Sequence, residues 1–130
     1  MRALVVEDEF ISRIVLEKML APIFEVDTAV NGQEALEAFE LAHREERPYR
    51  LILMDIMMPG TNGLEALEAI RNREETHDLP RAKVIMTTAL SDMQTVIRSF
   101  DAGQASAYIV KPIDREKLFK ELKTLGLIDE

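Results

Sequence analysis

At 130 residues the chain is long enough for one domain with a single sizeable core. Hydrophobic residues make up 47% and charged residues 31%, which excludes a wholly disordered chain. The formal charge of −8 disfavours direct binding to nucleic acid or anionic lipid, and the absence of cysteine excludes disulfides and thiolate metal sites.

Five short aliphatic or β-branched runs alternate with five segments of helical period, the pattern of an α/β domain built on a parallel sheet. The first strand is expected at 3–6 and leads into Glu7, Asp8 and Glu9. The helix after it should turn Ile11, Ile14, Val15 and Leu20 inward. A second strand, 24–29, precedes a helix whose start is marked by Asn31 with Glu34 three residues on, and whose inner face is Ala35, Leu36 and Phe39. The third strand, 51–54, ends at Asp55, and the helix opening near Gly63 buries Leu64, Leu67 and Ile70. The fourth strand, 83–87, leads to Thr88. Ser91 with Gln94 has the form of a capping box for a fourth helix that buries Val96, Ile97 and Phe100 and stops at Gly103. The fifth strand, 107–110, leads to Lys111; the last helix begins near Asp114, packs Leu118, Leu122 and Leu125, and stops at Gly126.

Ligands of an open parallel sheet bind beyond the carboxyl ends of its strands. Glu7, Asp8, Asp55, Thr88 and Lys111 all fall at those ends. Two carboxylates about 4 Å apart repel by roughly 4 kcal/mol at an effective dielectric near 20. A nest of three acids therefore calls for a hard, oxygen-loving dication, and Mg²⁺ is the one that keeps waters and shares its sphere with phosphate. Taken singly, Asp55 could cap a turn, Thr88 could be a turn hydroxyl and Lys111 a solvated charge; Glu7 and Asp8 could be a solvated loop in which Asp8 caps the first helix. Their joint placement favours a site. Glu9, His43 and His77 read as surface residues, and Met54, Met57, Met58 and Met86 as filler.

Val5-Val6-Glu7-Asp8, Met54-Asp55-Ile56-Met57-Met58-Pro59-Gly60, Thr87-Thr88-Ala89 and Tyr108-Ile109-Val110-Lys111-Pro112, in that order, resemble the receiver domain of two-component response regulators over essentially the whole length. The resemblance implies one doubly wound, flavodoxin-like (βα)5 domain over 1–130 with parallel strand order 2-1-3-4-5, and no output domain. It implies that Asp55 accepts a phosphoryl group, that Asp8 and Asp55 ligate Mg²⁺ (or Mn²⁺ in its place) with Glu7 acting directly or through water, and that the main-chain carbonyl of Met57 completes the protein ligands. It gives Thr88 and Lys111 the phosphoryl oxygens, pairs Thr88 with Tyr108 as a switch, and makes Lys111-Pro112 a cis peptide. The phosphodonor would be a sensor histidine kinase or a phosphotransfer protein, and the output an unidentified protein partner docking near Val96–Tyr108 and Leu118; apart from the resemblance, an N-terminal apolar stretch that meets acids at once and the lack of any apolar run able to span a bilayer lead us to expect the cytoplasm.

Such a protein catalyses its own phosphorylation and dephosphorylation and is not otherwise an enzyme. Two departures stand out. Glu7 occupies a position where many members carry aspartate, and Met57 and Leu90, two residues beyond Asp55 and Thr88, cannot orient a water. The competing readings are a receiver that is never phosphorylated, a Mg²⁺-dependent phosphatase or phosphotransferase acting on small molecules, and a nucleotide or flavin carrier. The first predicts loss of a site group, the second an acid where Met57 stands, and the third a glycine-rich phosphate loop; the sequence has none of these features.

Overall fold

The computed structural model describes residues 1–58, 60–89 and 105–129, so the expected fourth helix, 91–103, and Leu90 lie outside the described residues. Element order is β1 (Arg2–Val6), α1 (Phe10–Leu20), β2 (Glu25–Ala29), α2 (Gly32–Arg44), β3 (Tyr49–Asp55), β4 (Met57–Met58), β5 (Thr61–Asn62), α3 (Gly63–Thr76), β6 (Lys83–Thr88), β7 (Ala107–Val110) and α4 (Arg115–Thr124). Five strands form one sheet in the order β2-β1-β3-β6-β7, parallel at every pairing. Counted along the chain, its strands run 2-1-3-4-5, the order expected. β4 and β5 form a separate antiparallel pair that the sequence reading missed, since two-residue strands carry no period.

The inner strands β1, β3 and β6 are largely apolar because alternate residues feed two cores. Leu4, Val6, Ile52, Met54, Val84 and Met86 pack with Ala35 and Phe39 of α2 and Leu67 and Ile70 of α3. Ala3, Val5, Leu51, Leu53 and Ile85 pack on the other face with Leu16 and Leu20 of α1 and Leu118 and Leu122 of α4. With helices on both faces, the strand ends are left as the surface where polar groups can converge. No helix among the described residues is long and apolar enough to cross a membrane.

Helix starts follow the sequence signals closely. Asn31 accepts from the Glu34 N–H at 2.8 Å while Glu34 reaches back to the Val30 N–H at 3.1 Å, and Asp114 accepts from the Lys117 N–H at 2.8 Å. At α1 the cap is Glu9, which accepts from the Ser12 N–H at 2.6 Å, so Asp8 is released from the capping role the sequence offered it.

Two expectations are corrected. In α1, Ile11 is 61% exposed and Val15 42% exposed, while Leu16 and Leu20 are the buried pair. The helix is apolar around much of its circumference, and the stripe one residue further on, with the longer leucines, is the one that meets Phe24, Leu118 and Leu122. Leu118 is fully buried, so it belongs to the core and not to a docking face.

Gly63 marks the tightest approach. Its N–H donates to the Ile56 carbonyl at 2.7 Å, and a Cβ there would lie 2.1 Å from the Asp55 carbonyl oxygen. Gly60, at φ 78°, has open space around the same point. Gly63→Ala should therefore destabilise the fold by about 1–3 kcal/mol through overpacking against the end of β3. Urea unfolding checks this; unchanged stability would mean that the α3 start is free to shift.

Candidate functional site

Four strand ends meet at one rim. Glu7 follows β1, Asp55 ends β3, Thr88 ends β6 and Lys111 follows β7. The register sets them level: Val6 pairs with Met54, Asp55 with Thr87, and Thr88 with Val110. The Lys111 N–H donates to the Thr88 carbonyl at 2.8 Å, tying the last two strand ends together, and the Lys111-Pro112 peptide is cis.

Glu7, Asp8 and Asp55 each offer a carboxylate oxygen, and the three atoms lie within 4.8 Å of one another. The Lys111 ammonium stands 3.2 Å from Glu7 Oε1 and 3.0 Å from Asp55 Oδ2. The second oxygen of Glu7 accepts from the Glu9 N–H at 3.1 Å, and Asp55 Oδ1 accepts from the Met57 N–H at 3.3 Å. Asp8 is exposed, whereas Glu7 and Asp55 are buried. Arg13 donates to the main-chain carbonyls of Glu7 at 3.0 Å and Asp8 at 3.3 Å, holding the acidic loop against the start of α1. The sequence reading passed over Arg13; its one signal was a basic residue on the helix that directly follows an acidic loop.

Burial pushes the Glu7 carboxyl pKa up, and the charge of Asp55 adds to the push; the Glu9 N–H and Lys111 only partly oppose it. For Lys111 burial works downward, but the hydrogen bond to Asp55, its charge, and then Glu7 outweigh it and leave the pKa raised. Two of the three carboxylates, Glu7 and Asp55, thus share one firmly charged ammonium. The remaining excess of negative charge and the all-oxygen donor set suit a hard dication such as Mg²⁺ and do not suit thiophilic metals.

The other expected residues are less committed. The Thr88 side chain is fully buried and donates to the Ala89 carbonyl at 3.0 Å. Tyr108 is half-buried in β7, paired with Met86 and packed against the α2–α3 core. The main chain of Met57 lies in the β4–β5 pair opposite Asn62, and its side chain is exposed. Away from the rim, His77 is exposed, but His43 is half-buried edge-on to Phe39 at 4.7 Å, and burial lowers its pKa. A groove of about 520 Å³ runs beside the rim between α1 and the segment after β7, lined by Ile11, Val15, Pro112 and Ile113 and reaching Glu7 and Lys111.

A family model described as the response regulator receiver domain matches residues 3–123. The regulatory protein VanRB of Enterococcus faecalis is 36% identical over 122 residues, covering 94% of this chain and 50% of that protein. The hybrid signal transduction histidine kinase L of Dictyostelium discoideum is 35% identical over 126 residues, 96% of this chain but 7% of that one. Among solved structures, the CheX–CheY–BeF3–Mg complex from Borrelia burgdorferi aligns with a TM-score of 0.80 at 27% identity, covering 99% of this chain and 90% of that one. The chain spans half or less of the length of these two curated relatives.

The raised pKa of Glu7 has a consequence for stability. The folded protein holds that proton more tightly than the unfolded chain, so folding loses stability as pH rises from the ordinary carboxylate value of 4.5 through the raised one, and levels off above it. In the absence of divalent cations, Glu7→Gln should escape this loss. Thermal melts at a series of pH values should show the mutant gaining on the wild type across that window; parallel curves would refute the assignment.

Proposed function

The chain belongs to the response regulator receiver domain family of two-component signal transduction, and from that premise we propose that Asp55 accepts a phosphoryl group from a histidine kinase or phosphotransfer protein in a Mg²⁺-dependent reaction. The observation that carries the proposal is the Lys111 ammonium held 3.0 Å from Asp55 at the mouth of a three-carboxylate cluster. In the reaction one Asp55 oxygen forms a bond to phosphorus as the donor's P–N bond breaks, and the electron pair leaves on the imidazole nitrogen. Phosphoryl transfer asks a protein mainly for alignment and for neutralisation of the equatorial oxygens. Lys111 is positioned to meet one of those oxygens. Thr88 meets another after turning its hydroxyl away from the Ala89 carbonyl. Asp8, Asp55 and the main-chain carbonyl of Met57, with Glu7 directly or through water, are the groups that would hold Mg²⁺. What a bound Mg²⁺ supplies is charge neutralisation on the transferring group.

The groove beside α1 gives the phosphodonor an apolar surface next to Asp55, because Ile11 and Val15 point out of the core. Output follows from a population shift: a phosphoryl oxygen gives the Thr88 hydroxyl a stronger acceptor than a carbonyl, and Tyr108 takes up the space that Thr88 vacates. The face around Tyr108 then changes for a protein partner. Loss of the phosphoryl group is hydrolysis, in which water attacks phosphorus, phosphate leaves and the carboxylate is restored.

Two measurements test this reading. Incubation with Mg²⁺ and a small acyl phosphate, scored by intact mass, should add one phosphoryl group to the wild type and none to Asp55→Asn. Equal labelling of both would move the acceptor elsewhere. The side chain of Met57, exposed and unable to orient a water, should make the phosphorylated state long-lived. Met57→Asn should shorten its lifetime several-fold in a decay assay, and an unchanged rate would remove Met57 from the hydrolytic path.

A further inference from the structure

Arg44 closes the helix that leads into β3, and Leu79 leads into β6; the far ends of those two strands carry Asp55 and Thr88. The C-terminal ends of α2 and α3 therefore meet at the edge of the sheet opposite the acidic rim. Between them lies a second groove, of about 550 Å³, with Phe39 and Leu79 as its apolar lining and His43, Arg44, Arg73 and His77 around it. Phe39 is buried, and the half-buried His43 ring stands edge-on to it at 4.7 Å, so one wall is aromatic. Burial lowers the His43 pKa, with the charge of Glu74 opposing, which favours the neutral ring. A hollow of this size with an apolar wall and a few convergent polar groups is the form of a small-molecule site.

The charge here runs against that of the whole chain. Two arginines and two histidines line the groove against a single acid, Glu40, in a protein of formal charge −8. Glu40 accepts from Arg73 Nε at 2.6 Å, and His77 Nδ1 lies 3.2 Å from the Arg73 carbonyl. Arg44 is exposed and, among the described residues, forms no ion pair. Cations in the last turns of two helices answer the negative ends of the helix dipoles, which accounts for the arginines but not for the apolar hollow between them. The neighbouring sequence limits the ligand. Glu45 and Glu46 follow Arg44, Glu75 and Asp78 flank His77, and all four are exposed, so an extended polyanion would run onto like charge where a compact monoanion would not.

We propose that this groove binds a small aromatic carboxylate, its ring against His43 and its carboxylate held by Arg44 and Arg73. Guanidinium groups suit the task because their planar fork matches a carboxylate. Both halves of the Arg73–Glu40 pair are about 40% exposed, so Arg73 turns from one carboxylate to the other without stranding a charge in the interior. The site is independent of the phosphoryl chemistry proposed for the opposite edge.

The test titrates naphthoate into the full chain while NMR follows the ring resonances of His43 and His77. Naphthylmethanol, which keeps the ring without the charge, and acetate, which keeps the charge without the ring, are run beside it. Naphthoate should shift both rings saturably, in the millimolar range or below, and bind more tightly than either control. Arg44→Gln should weaken it about three- to fivefold, and Glu40→Gln, which releases Arg73, should tighten it by a similar factor. Neither position is buried, so both variants keep the fold. The proposal is overturned if neither ring shifts, if either control binds as well as naphthoate, or if the two substitutions leave affinity unchanged or move it in the same direction. Shifts centred on Lys111 and Ile113 would place the ligand in the groove beside α1, and tighter binding of a glutamate-rich peptide would make this a protein-docking surface; either result also overturns it.

Discussion

The molecule is organised around one electrostatic problem, the confinement of Glu7, Asp8 and Asp55 oxygens within 4.8 Å of one another. Like charges at such a distance repel strongly unless something intervenes, and here Lys111 does, with one ammonium shared between Glu7 and Asp55. The lysine answers only part of the excess. A cluster that is partly but incompletely neutralised retains affinity for further positive charge, and that residual demand is what would suit the rim to the dication proposed for it. A fully compensated cluster would be inert, and an uncompensated one would oppose folding.

The fold supplies the stiffness this requires. Because α1 and α4 cover one face of the sheet and α2 and α3 the other, the three inner strands β1, β3 and β6 are anchored by buried residues on both sides. The strand ends therefore have little freedom to splay when like charges push them apart. The cross-links at the rim are main-chain bonds as well as ion pairs: the Ile56 N–H donates to the Thr87 carbonyl at 3.1 Å and the Lys111 N–H to the Thr88 carbonyl at 2.8 Å. The close contact of Gly63 with the end of β3 adds a steric stop behind Asp55.

Much of this was legible in the sequence, for identifiable reasons. Strands buried on both faces read as uninterrupted apolar runs, and Asn31 and Asp114 announce helix starts because the chemistry of capping is local. Acids, hydroxyl and lysine at the ends of separate strands were recognisable because parallel topology sends those ends to one edge. What failed to show depended on choices made in three dimensions. The face of α1 was ambiguous because a helix apolar over most of its girth can bury either the Ile11–Val15 stripe or the Leu16–Leu20 stripe, and only packing against Phe24 and α4 decides. Leu118 looked as eligible for a surface as for a core. Arg13 could not be assigned to the Glu7 and Asp8 carbonyls, since a contact to main-chain oxygen leaves no mark on side-chain pattern. The hydroxyl direction of Thr88 is a rotamer, and composition is blind to rotamers.

Two ion pairs in the chain show why exposure, more than proximity, separates a fixed joint from a working one. Arg71 and Glu74 are both about 5–6% exposed, 2.8 Å apart, and bonded onward to the carbonyl and N–H of Ala82, so they lock α3 to the approach to β6. Removing one partner from such a buried pair strands the other and costs about 3–5 kcal/mol, a large share of the stability of a small domain. Nothing that must change during function can rest on it. Lys111 is closer to the opposite limit on its own side of the pair: 33% of its side chain reaches water while Glu7 is buried. The ammonium can be rehydrated as it moves, so in the proposed reaction it could pass from a carboxylate to a phosphoryl oxygen without an intermediate in which a bare charge is left in the interior. On that reading the acid would stay and the base exchange, because the asymmetry in their burial leaves Lys111 the less confined half of the pair.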